Sequence, residues 1–231
     1  MVKVEDGDVI EINYVGRIKS SGEVFDLTDK ETAEEENVDT ENMELGPVKI
    51  LLGEGYLLKG LEKRMKDMEV GEKETIEVPK KDAFGSRKSS NIKTISEREF
   101  KNYDVTPRRG MPVEVDGKRG KILTVSNGRV KVDFNHPLAG RDLEYDVEIT
   151  RKIEDMEEKV EAVMDFYIDH EYEIEVDEGS IKVELEEEIP EELCDKLEEE
   201  VEKLNDVEKA EIVSGEEENG NGDSDEDEEK D

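Results

Sequence analysis

The amino-acid sequence predicts an α+β protein: a run of strands with one short helix, a small β-rich module that interrupts them, and an αββαβ unit that follows. Three observations carry this prediction. Apolar residues alternate with polar ones in short runs, the period-two signature of strands with one buried face. Helical spacing is confined to three segments, two of them towards the carboxy end. The sign of the charge also reverses in mid-chain: residues 86–131 hold 12 Lys or Arg against 5 Asp or Glu, a local +7 within a net charge of −35. Such a reversal marks a separate unit.

In chain order, Ile10, Ile12, Tyr14, Gly16 and Ile18 alternate in a first strand, and Ser20, Ser21 and Gly22 turn the chain into a second, Val24 to Leu27. The acidic stretch DKETAEEENVDTENMELG has too few apolar residues to bury and is expected outside the core. Val48, Ile50 and Leu52 restart the alternation. Leu57, Leu58, Leu61 and Met65 then fall at helical spacing, with Gly71 just beyond the end. Thr75, Ile76 and Val78 predict a further strand, stopped by Pro79.

Within the basic module, Met111, Val113 and Val115 alternate before the turn DGKRG. Ile122, Leu123 and Val125 precede the turn SNG, and Val130, Val132 and Phe134 follow it. In FNHPLAGRDLEYDVEI, Leu143, Tyr145, Val147 and Ile149 point one way, as in the opening strands, so the first sheet is expected to resume there.

Beyond Glu154 the spacing predicts a helix (Val160, Val163, Met164, Tyr167), two strands (Tyr172, Ile174, Val176, then Ile181, Val183, Leu185), a helix opened by Pro190 with Leu193, Leu197, Val201 and Leu204 on one stripe, and a last strand, AEIV. That order is a ferredoxin-like βαββαβ unit without its first strand, and the open edge invites a homodimer. The last sixteen residues carry ten acids, one Lys and no apolar side chain, so a disordered tail is expected. The expected division is thus 1–85 with 134–153, an insert at 86–133, a carboxy-terminal unit at 154–214 and an acidic tail at 215–231.

Composition excludes several functions. A net charge of −35 repels phosphate backbones and anionic lipid. No apolar run approaches the roughly 18 residues of a membrane span, and the opening MVKVEDGDVIEI carries acids where a signal peptide needs an apolar run. One Cys, Cys194, forms no intrachain disulfide framework, and with two His it builds none of the usual zinc clusters. A cytoplasmic protein without nucleic-acid or membrane partners and without a metal is expected.

The landmarks of residues 1–153 also carry a resemblance. YVGRI, GEVFD, LGEGYLLKGLE, MEVGE, PKKDAFG and NHPLAGRDLEYDVEI resemble, in order and in apolar positions, the FKBP family of peptidyl-prolyl isomerases, and more narrowly its long, SlyD-like branch. The resemblance implies an FKBP half-barrel interrupted by an insert-in-flap chaperone domain, placed where the charge reverses. It also implies an apolar pocket at Tyr14, Phe25, Asp26, Leu57, Leu58, Leu61, Phe84 and Tyr145, bordered by Val48, Ile50, His136 and Leu138, and no cofactor. Leu61 stands where the family usually has an indole, and Phe84 where many members have a tyrosine. His136 reads equally as a residue ordering the turn before Pro137.

Such a pocket would favour the twisted amide of an X-Pro bond over either planar isomer without a nucleophile or proton transfer. The expected partners are unfolded or partly folded proteins containing X-Pro bonds, with Met111, Val113, Val115, Ile122 and Phe100 offering apolar contact in the insert or forming its core. Two competing readings are a non-catalytic holdase that uses the pocket to grip clients, and an assembly protein built on the carboxy-terminal unit.

Overall fold

The computed structural model of the protein describes residues 2–36, 38, 40, 45–101 and 105–215. The acidic tail expected at 215–231 lies, beyond Gly215, outside the described residues. Twelve strands form three sheets among the described residues.

The first sheet contains β1 (Val9–Ile18), β2 (Val24–Leu27), β3 (Val48–Leu51), β4 (Lys73–Val78) and β9 (Leu143–Lys152). Its order is β2-β1-β9-β4, with β3 paired to the start of β1, and every pairing is antiparallel. The alternation read in β1 places Ile10, Ile12 and Ile18 in the core. Burying each such side chain contributes about 1.5–3 kcal/mol. From the same cluster, Leu143, Tyr145, Val147 and Ile149 of β9 complete the face. Helix α2 (Lys59–Met65) lies against β4 and buries Leu61 and Met65 in that cluster. The spacing from Leu57 to Met65 had suggested an earlier helix start. Leu58 is in fact the N-cap in extended conformation, so Leu57 and Leu58 belong to the preceding loop.

The acidic stretch after β2 is not wholly outside the packing. Asp29 caps α1 (Lys30–Glu35) by accepting the Thr32 amide proton at 2.8 Å. Ala33 then packs with Val15 and Leu27 in a satellite cluster. Alternate positions of β1 thus serve two apolar layers, one on each face of the sheet.

The chain leaves β4 for a second sheet, formed by β5 (Ile92–Ser96), β6 (Pro112–Val115), β7 (Lys118–Ser126) and β8 (Arg129–Asp133), in the antiparallel order β5-β8-β7-β6, with α3 (Glu97–Lys101) between β5 and β6. Its two tight hairpins use Asp116-Gly117 and Asn127-Gly128, all four with positive φ. Such turns match the right-handed twist of the flanking strands. Phe100, Ile122, Val130 and Val132 form a core separate from that of the first sheet. The two linkers to the first sheet are stapled together. Asp133, 3% exposed, pairs with Arg87, and Asn135 accepts the Lys88 amide proton at 2.8 Å while its side chain donates to Asp133 at 2.6 Å.

The third sheet holds β10 (Tyr172–Asp177), β11 (Ser180–Leu185) and β12 (Lys209–Ser214), with α4 (Met156–Tyr167) before it and α5 (Glu191–Val201) between β11 and β12. Here the incomplete ferredoxin-like expectation is corrected. In a complete βαββαβ unit the missing first strand would separate β11 from β12, yet β11 and β12 pair directly and in parallel, so the vacancy is filled from within. The amides of Ala210 and Ile212 donate to Glu202 (3.1 Å) and Glu198 (2.9 Å) of the α5 segment. The edge expected to await a second copy is therefore partly covered by the chain's own carboxylates.

The buried apolar cluster of the first sheet continues without a break through Val160, Val163 and Met164 of α4 into Leu197, Val201 and Ile212. Ion pairs flank this junction. Lys49 of β3 reaches Glu158 at 3.1 Å and Glu161 at 3.3 Å, and Arg151 of β9 joins Glu11 at 2.9 Å to Glu158 at 2.8 Å. No helix among the described residues is long and apolar enough to cross a membrane.

Candidate active site

Tyr14 sits mid-way along β1, and its backbone is fixed by the chain leaving β2. The buried Thr28 accepts the Tyr14 amide proton on Oγ1 at 2.9 Å and gives its own amide proton to the Tyr14 carbonyl at 3.0 Å. Two residues on, Gly16 is the register partner of Asp26 in β2 and of Tyr145 in β9, and Tyr145 faces Ile76 in β4. One row across four strands therefore reads Asp26, Gly16, Tyr145, Ile76, with Tyr14 on the same face of β1.

The absence of a side chain at Gly16 makes the aromatic contact geometrically possible. A Cβ there would lie 2.9 Å from Phe25 Cζ and 3.0 Å from Tyr145 Cε1. Phe25 and Tyr145 meet edge to face with centroids 5.8 Å apart and planes at 89°, and Tyr14 meets Tyr145 at 5.9 Å and 62°. Aromatic pairs prefer this arrangement because the positive ring edge faces the negative ring centre. The Tyr14 hydroxyl donates to Asp26 Oδ2 at 3.0 Å. Burial, then the Asp26 charge, push the Tyr14 phenol well above its ordinary value, and the same two causes raise Tyr145. Both phenols are neutral donors at pH 7, and the Tyr145 hydroxyl has no hydrogen-bond partner among the described residues.

Tyr145 is 5% exposed; the rings of Tyr14 and Phe25 lie against it, and the half-buried Leu57, Leu58, Phe84 and Leu138 pack on the large core cluster to which it belongs. Leu61 and Ile50 are buried in the core cluster, and Val48 is half-buried opposite Ile12. Phe84 follows a single 3-10 turn, Lys80–Asp82, and its ring stacks on His136 with centroids 4.0 Å apart and planes 3° apart. His136 Nδ1 accepts the Leu138 amide proton at 3.2 Å. His136 thus orders its loop with its ring stacked on Phe84.

In the second sheet, Met111, Val113 and Val115 line a groove of 550 Å³ together with Ile95, Phe100 and Val105. Ile122, 1% exposed, is core and offers no surface there, which corrects its assignment as a contact residue. Another cleft, of 430 Å³, runs along β1, β4 and β9 beside Asn13, Asp29, Thr75 and Asp146. It is polar, and its mixture of residues from α1 and three strands has no counterpart in any sequence motif.

Sequence reasoning passed over two residues that shape the site. In the sequence Gly16 reads as one position of an alternating strand, although a glycine inside a strand is itself a signal of close approach. Thr28 left no signal, because its partner is the backbone of a residue fourteen positions away.

An antiparallel sheet packed against a short helix, with an aromatic face that carries a phenol–carboxylate hydrogen bond, defines a protein of FKBP-like fold. The family comparisons agree. The model of the FKBP-type peptidyl-prolyl cis-trans isomerases matches residues 2–106, and a model described as the IF domain of FKBP26 matches residues 93–138. A short-type peptidyl-prolyl cis-trans isomerase of Methanocaldococcus jannaschii is 31% identical over 146 residues, spanning 63% of this chain and 92% of that one. A probable FKBP-type 16 kDa peptidyl-prolyl cis-trans isomerase of Pseudomonas fluorescens is 32% identical over 121 residues, 49% of this chain and 79% of that one. The FKBP-type isomerase SlyD of Escherichia coli is 31% identical over 118 residues, 49% of this chain and 60% of that one. The chain belongs to the FKBP-type peptidyl-prolyl cis-trans isomerase family, and that is its enzyme class.

Proposed function

We propose that the face formed by Tyr14, Phe25, Asp26, Leu57, Leu58, Phe84 and Tyr145 binds an X-Pro segment of an unfolded protein and lowers the barrier to rotation about its prolyl bond. The observation that carries this reading is the gathering of Tyr14, Phe25 and Tyr145 over Gly16, with the Tyr14 hydroxyl bonded to Asp26. Rotation costs about 18–20 kcal/mol because twisting breaks amide resonance. A roughly million-fold acceleration needs about 8 kcal/mol of preference for the twisted amide.

An apolar surface supplies part of that preference, since the twisted carbonyl has lost charge and gives up less on leaving water. Orientation supplies more. The Tyr14–Asp26 pair holds one wall and adds a fixed dipole, and with both phenols neutral no proton has to move. Phe84 has no hydroxyl to offer a substrate carbonyl, and the Tyr145 hydroxyl, which has no hydrogen-bond partner among the described residues, is a donor that could serve in its place.

The groove at Met111, Val113 and Val115, in the basic module, supports a second role in holding unfolded chain near the pocket. Tethering raises the local concentration of bound segments, up to the millimolar range for short linkers. The partners are then unfolded or partly folded proteins with X-Pro bonds.

The test is cis/trans exchange in a proline peptide, followed by NMR, with aggregation suppression measured in parallel. Tyr145→Leu and Asp26→Ala are each expected to slow catalysed exchange roughly 10- to 100-fold while leaving aggregation suppression intact. A purely gripping protein would instead suppress aggregation and show no catalysed exchange in the unsubstituted chain.

A further inference from the structure

The loop that carries Leu57 and Leu58 is held from two sides. On one side Glu62 of α2, 6% exposed, accepts the amide protons of Gly55 at 3.1 Å and Leu57 at 3.2 Å. On the other, the Tyr56 ring packs against the carboxy-terminal unit. It lies 4.0 Å from Phe166, centroid to centroid and tilted by 31°, and 6.2 Å from Tyr167, nearly perpendicular to it. The two α4 rings meet each other at 5.0 Å and 83°.

Lysines brace the same contact. Lys196 of α5 sits 4.3 Å over the Tyr167 ring, and Lys203 joins Glu200 at 2.8 Å to Glu54 of the loop at 3.1 Å. Tyr56 is 9% exposed, yet its hydroxyl has no hydrogen-bond partner of good geometry among the described residues. Its contribution is therefore the ring. Phe166 stays 50% exposed, an apolar surface whose visible use is the face it shares with Tyr56.

We infer that Tyr56, clamped by Phe166 and Tyr167, is a positioning residue for the isomerase site, through which the carboxy-terminal unit sets where Leu57 and Leu58 stand and hence the affinity for substrate. The inference rests on the proposal that those two leucines line the pocket. They follow Tyr56 directly: Leu58 is the N-cap of α2, its carbonyl accepting the Leu61 and Glu62 amide protons at 2.8 and 3.1 Å, and the Tyr56 ring is the contact that ties this turn to α4. Apolar walls act by fit, and a loosened wall must be ordered again each time a substrate binds. The clamp accordingly acts on binding more than on the rotation step.

The test uses the full chain and the variants Tyr56→Ala, Tyr56→Phe, Phe166→Ala and Leu57→Ala, with KM and kcat for a proline peptide measured separately, well below each melting temperature. Tyr56→Ala and Phe166→Ala are expected to raise KM roughly five- to tenfold with kcat within about twofold. Tyr56→Phe is expected to restore the unsubstituted KM, because the ring and not the hydroxyl is used.

An unchanged KM in Tyr56→Ala and Phe166→Ala, beside a raised KM in Leu57→Ala, overturns the clamp and leaves the pocket standing. An unchanged KM in Leu57→Ala removes the pocket assignment and the clamp with it. A Tyr56→Phe as impaired as Tyr56→Ala also overturns the clamp. Should Tyr56→Ala fail to fold, the half-exposed Phe166→Ala decides the question alone, with the methyl resonances of Leu57 and Leu58 as a second readout that must shift.

Discussion

At the scale of single residues, the site depends on a missing side chain and one hydrogen bond. Gly16→Ala would place a methyl group against Phe25 Cζ and Tyr145 Cε1, and Tyr145 is buried in the core. Overpacking of this kind costs about 1–3 kcal/mol, and the measurement is the urea midpoint together with catalysed peptide exchange, both expected to fall. Tyr14→Phe removes the donor to Asp26, and a hydrogen bond to a charged group is worth about 1.5–3 kcal/mol. Its pH dependence has a definite sign. The folded-state pKa of Tyr14 is raised above the ordinary 10.0, so its contribution is fully present below pH 10.0 and is lost as pH rises beyond it. Tyr14→Phe should therefore lose less stability than the unsubstituted protein between neutral and strongly alkaline pH, as read by melting temperature. Tyr14, Phe25, Asp26 and Tyr145, which the family motif groups, do meet on one face of the sheet. The need for Gly16 was not legible in the sequence, because it arises from two rings that approach from other strands.

At the scale of elements, strands were legible and helix ends less so. Period-two alternation placed β1, β4, β9 and the hairpins of the insert, because one face of each must be apolar whatever the neighbouring strand is. The start of α2 moved past Leu57 and Leu58, since apolar residues in a buried loop give the same spacing as a helical stripe. Helix α1 escaped notice because a single Ala33 provides its burial. The seating of α4 on β3 and β9 carries its own acid sensitivity. Hydrogen bonds from Arg151 and then Lys49 hold Glu158 down to about 2 from its ordinary 4.5. A depressed carboxyl contributes stability above pH 4.5 that is lost as pH falls towards 2. Glu158→Gln should flatten this acid branch in a series of melting temperatures, and Lys49→Met should reproduce part of the effect.

At the scale of the whole molecule, the apolar core of the first sheet continues into the carboxy-terminal unit, while the insert keeps a core of its own. The insert is joined through two linkers held by Arg87, Asp133 and Asn135. Replacing residues 86–133 by a short loop is therefore expected to leave peptide exchange within about twofold and to cut catalysed refolding of a proline-limited protein by about tenfold or more, through lost tethering. Equal loss in both assays would mean that the insert supports the pocket itself and does not act by capturing clients.

By itself the sequence determined the α+β class, the family and the strands of the first two sheets, because alternation, turn chemistry and motif order are local properties that no partner has to supply. Only the tertiary structure decided that Gly16 spaces the rings, that β12 fills the place of the absent strand beside β11, and that Tyr56 joins the loop before α2 to α4. Each of these depends on which distant segments meet, and a strand edge or a ring face does not record its partner in its own residues.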